Sequence, residues 1–322
     1  MEIPDQPRAP LTIGISRCLL GREVRYDGTG ARSSLPHDSL DGLFEFRDIC
    51  PEVGIGMTVP REPIRLQDAG SGVRVVGVKD ASVDVTEALY DFGQRHAARS
   101  ADLAGFIFMH NSPSCGVHRV KVYPGHAAPA ERKGRGMFAQ AMTDQLPVMP
   151  VEDAGRLFDD VLRENFVTRT FAYAHWQALQ AEQPLTAGRL IEFHSRYKYL
   201  LMAHDVGAYK QCGQLLSNLK SNLEQTAAAY IAALMGGLTQ AATRKGHANV
   251  LSHLQGYLKK HLDSDSRQEL SSLIDAYRVG QQPLLAVIGL LKHHFRRHED
   301  AYVEMQIYLH PHPEQAALRR SL

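Results

Sequence analysis

The chain has 322 residues, 44% of them hydrophobic, and 36 basic side chains against 35 acidic ones. That is ordinary globular composition with room for two cores, and four cysteines over such a length exclude a disulfide scaffold. The polar start Met1–Pro10 lacks a signal-peptide apolar core, and no stretch is long and apolar enough to span a membrane, so a cytoplasmic protein is expected.

Residues 11–16 read as a strand ending just before Cys18. Residues 73–78 read as another strand, forming a hairpin with Ile64–Leu66 across Gly70–Gly72. Residues 82–100 have helical periodicity, with Asp80 or Ser82 as cap and Val85, Leu89 and Phe92 on one stripe. The continuous apolar run 104–109 suits a buried parallel strand, and Cys115 follows it. A short helix is expected at 136–143 and a final strand at 146–150. Strands alternating with helices indicate an α/β, Rossmann-like N-terminal domain over residues 1–152, whose ligands bind at the carboxyl ends of strands.

The character changes at Asp153, placed to cap a helix starting near Ala154. Helical periodicity with little Gly or Pro punctuation continues to about residue 308, giving candidate helices at 154–180, 186–203, 205–215, 217–243, 246–263, 265–279 and 283–300. The second domain, 153–322, is therefore expected to be all-α. It is slightly basic, with 19 cations against 17 anions beyond residue 150, compared with 17 against 18 before it. That balance permits a nucleic-acid partner without demanding one.

Cys18, Cys50 and Cys115 each sit beside Gly or Pro at a strand-to-loop transition. A lone free thiol is usually a small buried hydrophobe. Three at loop tips, without the paired spacing of a zinc finger, suit one shared soft metal centre, and three thiolates can hold a cubane iron–sulfur cluster with one iron lacking a protein ligand. Cys212, in a helical stretch, reads as a helix-face residue and not a ligand.

Other constellations are weaker. Glu52, two residues after Cys50, could move protons beside a bound substrate or be a solvated loop acid. Ser112 and Ser114 could contact a cluster sulfide or substrate, or simply cap a turn. Tyr26–Gly30 is a turn by composition, with or without a ligand. Lys133–Gly136 is a flexible basic loop in which Arg135 could meet an anion. Arg196–Tyr199 and His204 mark a basic, aromatic helix able to stack on bases and neutralise phosphates; an ordinary amphipathic helix fits equally. Lys292–His298, including Arg296 and Arg297, is the densest basic run and reads as a solvated or phosphate-facing surface.

Taken together, Ser-Arg-Cys-Leu-Leu-Gly, Val-Arg-Tyr-Asp-Gly, Cys-Pro-Glu-Val-Gly-Ile-Gly and Ser-Pro-Ser-Cys-Gly resemble the thiouracil desulfidase (TudS-like) family over about residues 10–150. The helical remainder, with Phe193-His194, Lys198, His204 and the tail Gln306, Tyr308, Pro311 and Pro313, is similar to the YbgA-type domain. The fused architecture resembles tRNA 4-thiouridine desulfidases (RudS-like). The resemblance implies a [4Fe–4S] cluster on Cys18, Cys50 and Cys115, whose open iron captures the thiocarbonyl sulfur. It also implies Glu52 as acid/base and Ser112 as assisting serine. The implied substrate is 4-thiouridine in tRNA, converted to uridine and hydrogen sulfide, with tRNA contacts expected from Ser114, Arg135, Arg196, Lys198, Arg296 and Arg297. Free thiouracil or a thionucleoside is the neighbouring alternative. A non-catalytic metal-binding or redox-sensing module, and a zinc site, are the others.

Overall fold

The structure, a computed structural model, describes residues 7–34, 40–124, 129–182, 184–217, 219, 222–313 and 318–319. It divides into two compact units, one spanning Ala9–Asp159 and the other running from Asp160 onward. Asp153, expected to begin the second domain, lies inside the first: its carboxylate accepts the amide hydrogens of Val117 (2.9 Å) and His118 (3.0 Å). The long helix starts at Asp160 instead.

The first unit contains strands β1 (Leu11–Ser16), β2 (Phe44–Ile49), β3 (Ile64–Asp68), β4 (Val73–Gly77), β5 (Phe106–Phe108), β6 (Val120–Tyr123), β7 (Glu131–Gly134) and β8 (Val151–Asp153). They build two sheets. One has order β2-β1-β5-β8 with all neighbours parallel. The other has order β4-β3-β6-β7 and is mixed. Parallel strands need covered faces, and helices α1 (Pro51–Gly54), α2 (Thr86–Ala97) and α3 (Met137–Gln145) lie between them in sequence. Phe106, Phe108 and Phe138 are fully buried; the first two rings stack 4.0 Å apart, and Phe138 meets both edge-on. The fold class is thus the expected α/β unit followed by an all-α one, with the strands divided between two sheets.

Local expectations shift where strand pairing intervenes. Helix α2 begins at Thr86, not residue 82, because the stretch before it is bound to β4 through a bridge between Asp84 and Val76: Gly77 donates to the Val83 carbonyl and Val85 to that of Val75, at 2.9 and 3.0 Å. Asp80 and Ser82 hydrogen-bond each other instead of capping it. Residues 146–150 form the turn after α3, closed by Met149 N–H on the Leu146 carbonyl, and the strand starts at Val151. The basic segment around Lys133 is no flexible loop up to Gly134; it is strand β7, paired with β6. The hairpin of β3 and β4, and the parallel strand β5, form as expected.

The second unit consists of α4 (Asp160–Glu182), α5 (Ala187–His204), α6 (Val206–Ser217), α7 (Leu223–Leu238), α8 (Arg244–Tyr257), α9 (Ser264–Arg278), α10 (Leu284–Phe295) and the short α11 (Ala301–Glu304). Five of these helices start at side-chain caps: Thr186, Asn222, Thr243, Asp263 and Asp300 each accept a backbone N–H of the first turn. This unit's core holds an ionic cluster: buried Glu164 accepts from Arg319 Nε (2.9 Å), and burial is overcome by Arg319 and His312, which hold its carboxyl far below the usual range. No helix among the described residues is long and apolar enough to cross a membrane.

Candidate active site

In the parallel sheet, β2, β1 and β5 are neighbours, and all three run the same way. The three cysteine loops therefore leave from adjacent carboxyl ends, where chain reversal opens a crevice in such sheets. Cys18 lies in the 3-10 turn Arg17–Leu20 that follows β1, closed by Gly21 in the left-handed conformation. Cys50 follows β2 and stands at the N-cap position of α1, with Pro51 at the first helical position, where its missing N–H costs nothing. Cys115 follows β5, in a loop fastened from several sides. The Ser112 hydroxyl accepts the N–H groups of Ser114 (3.2 Å) and Cys115 (3.1 Å). The amides of Met137 and Ala139, in the first turn of α3, donate to the Pro113 and Ser114 carbonyls, occupying hydrogens that a helix start otherwise leaves unpaired. This docking requires Gly136: a Cβ there would lie 2.5 Å from the Ser114 carbonyl carbon.

The three thiols line one cavity of about 470 Å³, together with Glu52, Arg61, Ser112 and His110. All are free, with Cys115 buried and the other two half-buried. Burial pushes the Cys18 thiol up to about 11, and the charge of Cys50 adds to this. Burial likewise raises Cys50, and Cys115 well above its ordinary value, the latter also pushed by Glu52 and the other two thiols while a hydrogen bond from Ser16 opposes. A thiolate set of this kind is unfavourable unless a cationic group joins it. Among the described residues no three His, Cys, Asp or Glu side chains are drawn together around the position of a single metal ion.

Glu52 sits in the first turn of α1 and points at the cysteine loops. Its Oε2 accepts from Arg61 Nε at 2.7 Å and is also paired with Nη2, while Oε1 accepts from the Ser114 hydroxyl at 2.8 Å. The side chains of Glu52 and Arg61 are only 14% and 5% exposed, so the pair is screened from bulk water. Arg61 is itself anchored on the Val24 and Thr58 carbonyls. Among the described residues, Oε1 carries one hydrogen bond and keeps a lone pair for a proton. Arg61 has little local signature in the sequence: a cation nine residues beyond a lone carboxylate, which many surface loops share.

Ser112 lines the cavity and accepts two backbone N–H groups of its own turn, which leaves its O–H free to donate. Ser114, expected to touch substrate or RNA, is fully buried and holds Glu52. The Tyr26–Gly30 turn closes on itself, with Asp27 accepting from Thr29. Gly30 is needed there, since a Cβ would lie 2.6 Å from the Gly21 carbonyl oxygen beside Cys18. Arg135 is exposed and donates to Thr143 at 2.9 Å. Cys212 is fully buried beside Tyr230 in the helical unit.

The helical cations divide into two groups. Arg196 is ion-paired with Glu192 at 2.7 Å and its side chain is 11% exposed. Lys198 Nζ lies over the rings of Tyr199 (4.8 Å) and Tyr302 (4.6 Å). Tyr197 and Tyr199 are buried, so this segment offers no stacking platform; that expectation is corrected because α5 is covered on more than one side, Tyr197 stacking on Phe193 and the Tyr199 hydroxyl meeting that of Tyr257. Arg296 and Arg297 are exposed.

Residues 13–154 match the family model described as 2-thiouracil desulfurase, and residues 198–313 match that of a protein family of unknown function, DUF1722. The chain is 37% identical over 166 residues to "Uncharacterized protein YbgA" of Escherichia coli (strain K12), a match covering 51% of this chain and 95% of that protein. Among solved structures, that of a [4Fe-4S]-dependent thiouracil desulfidase, TudS, is 26% identical and aligns over 46% of this chain and 93% of its own, with a TM-score of 0.36. The cysteine-lined cavity lies wholly within the matched desulfurase segment. The chain belongs to the family of YbgA and carries, in addition, a segment that matches the 2-thiouracil desulfurase model.

Proposed function

We propose that the protein is a hydrolytic desulfidase of 4-thiouridine in tRNA, using a [4Fe–4S] cluster held by Cys18, Cys50 and Cys115. The observation that carries this reading is the meeting of three free thiols and one anchored carboxylate in a single cavity. The donor set fits the cluster: three soft ligands leave one iron open, and thiols spread around a cavity suit a polynuclear group better than one ion. When bound, the cluster supplies an electrophilic iron for the soft thiocarbonyl sulfur and a place for that sulfur to depart.

The chain's own residues supply the rest. Glu52, fixed by Arg61 and Ser114, takes a proton through its open Oε1 lone pair from a water attacking the carbon that carries sulfur. Ser112 and the α3 N-terminus hold the Cys115 loop in place. Water and thiocarbonyl become carbonyl and hydrogen sulfide, so no net electron transfer is needed. The exposed Arg296 and Arg297, on a helical unit that a free base does not require, support a polymeric substrate.

The test is sulfide release by the reconstituted protein from thiolated bulk tRNA, with free thiouracil alongside. Preference for tRNA supports the reading, as does a loss of tRNA affinity in Arg296→Gln/Arg297→Gln that spares thiouracil turnover. Turnover of thiouracil alone would make the substrate a free base.

A further inference from the structure

A second cavity, of about 390 Å³, adjoins the cysteine cavity on the face of the mixed sheet, and Ile64, Asn111 and Pro113 line both. Its charged lining side chains are Arg65 on β3, Lys121 on β6 and Arg132 on β7, and none of the lining residues is acidic. The sheet's other face packs Leu66, Val75, Val120 and Val122 into the core, so strand alternation turns these three cations to one side.

Their arrangement is unfavourable without an anion. Lys121 and Arg132 are direct cross-strand partners, and like charges at such positions repel. Arg65 adds a third charge; its guanidinium lies over the Tyr123 ring at 5.4 Å, and its Nε is buried without a hydrogen-bond partner among the described residues. Arg132 is steered to the shared lip by a 3.2 Å bond to Asn111 Oδ1, which leaves the rest of its fork for another acceptor. Asn111 itself has a left-handed backbone, φ 57°, uncommon outside glycine.

We infer that this groove is the subsite for the ribose-phosphate backbone next to the thiolated base, with the phosphate on Arg65, Lys121 and Arg132 and the flanking base or sugar against Tyr123. The inference rests on the nucleotide reading of the cysteine cavity. It adds that backbone recognition lies in the desulfidase unit itself, in residues that no sequence motif marked.

The test uses the full chain and its Lys121→Gln/Arg132→Gln variant, both positions being exposed, with Arg65→Gln as a second variant. Binding of a fluorescent single-stranded oligoribonucleotide is followed by anisotropy across a salt series. The double variant is expected to bind about tenfold more weakly or worse, with a slope of log affinity against log salt shallower by about 0.7, the share of one lost phosphate contact. With reconstituted enzyme, KM for an oligonucleotide carrying 4-thiouridine should rise by a similar factor, and kinetics on phosphate-free 4-thiouridine should not change. A parallel rise for 4-thiouridine 5′-monophosphate assigns the groove to the nucleotide's own phosphate; a rise confined to the oligonucleotide assigns it to the neighbouring phosphodiester. Wild-type affinity and slope in both variants would overturn the groove while leaving the nucleotide reading intact. A wild-type enzyme active on thiouracil but on no nucleotide would overturn both.

Discussion

Arg61→Met removes the cation of a nearly buried pair while keeping much of its length. Glu52 and Arg61 are 14% and 5% exposed, so solvent does little to replace the lost partner. The carbonyls of Val24 and Thr58 lose their donors in the same step. Removing one member of such a pair typically costs ~3–5 kcal/mol, mostly as the penalty of an uncompensated buried charge. With a urea m-value of ~2 kcal/mol/M, that moves the midpoint by ~1.5–2.5 M. Glu52→Gln/Arg61→Met should recover much of this loss, because the orphaned charge is then gone; a coupling of ~2 kcal/mol is expected in the cycle. The assay is urea unfolding followed by circular dichroism, with fluorescence of Trp176 reporting the helical unit separately. Turnover on thiouracil should fall by ~10–100-fold in Arg61→Met, less than the ~10²–10⁴-fold expected for Glu52→Gln. An Arg61→Met protein within about 0.5 kcal/mol of wild type, or a double variant losing the simple sum of the two singles, would refute the account of Arg61 as the anchor of Glu52.

Alanine at Cys18, Cys50 or Cys115 should each abolish retention of iron and acid-labile sulfide, while Cys212→Ala keeps both; full iron content in Cys50→Ala would remove it from the ligand set. Ser112→Ala should lower stability by ~1 kcal/mol through loss of its turn-capping bonds, whereas Ser114→Ala, which frees one side of Glu52, should lower kcat at an intact cluster spectrum; the opposite pattern would return the chemical role to Ser112. Burial lowers the His247 imidazole to about 3 and that of His194 to about 4. Both stay neutral in the fold and gain a proton on unfolding below the ordinary value of ~6.5. Their contribution is therefore fully present above pH 6.5 and shrinks as pH falls, by up to ~1.4 kcal/mol per pH unit for each group. Urea midpoints between pH 7.5 and 4.5 should decline accordingly, and a flat profile would contradict it.

The catalytic outline is written locally in this chain. Each of Cys18, Cys50 and Cys115 follows a strand and precedes a turn whose Gly or Pro carries its own backbone preference, so motif and loop conformation come from the same few residues. Helical periodicity after residue 160 is likewise a short-range property, and the caps at Thr186, Asn222, Thr243 and Asp263 sit where polar side chains precede apolar repeats. What depended on distant partners was settled only in three dimensions. Strand β2, Phe44–Ile49, is too short and too charged to stand out, its alternation breaking at Arg47-Asp48, and it becomes a strand by pairing with β1 at the sheet edge. Ser112 and Ser114 are two residues apart, and only the position of Glu52, 62 residues from Ser114, separates a capping hydroxyl from one that holds a carboxylate. Tyr197 and Tyr199 could have faced RNA by composition, but the packing around α5 buried both. Arg65, Lys121 and Arg132 meet because strand register joins β3, β6 and β7. Register and helix packing are fixed by burying apolar faces against elements far away in the chain, and no local propensity carries that information.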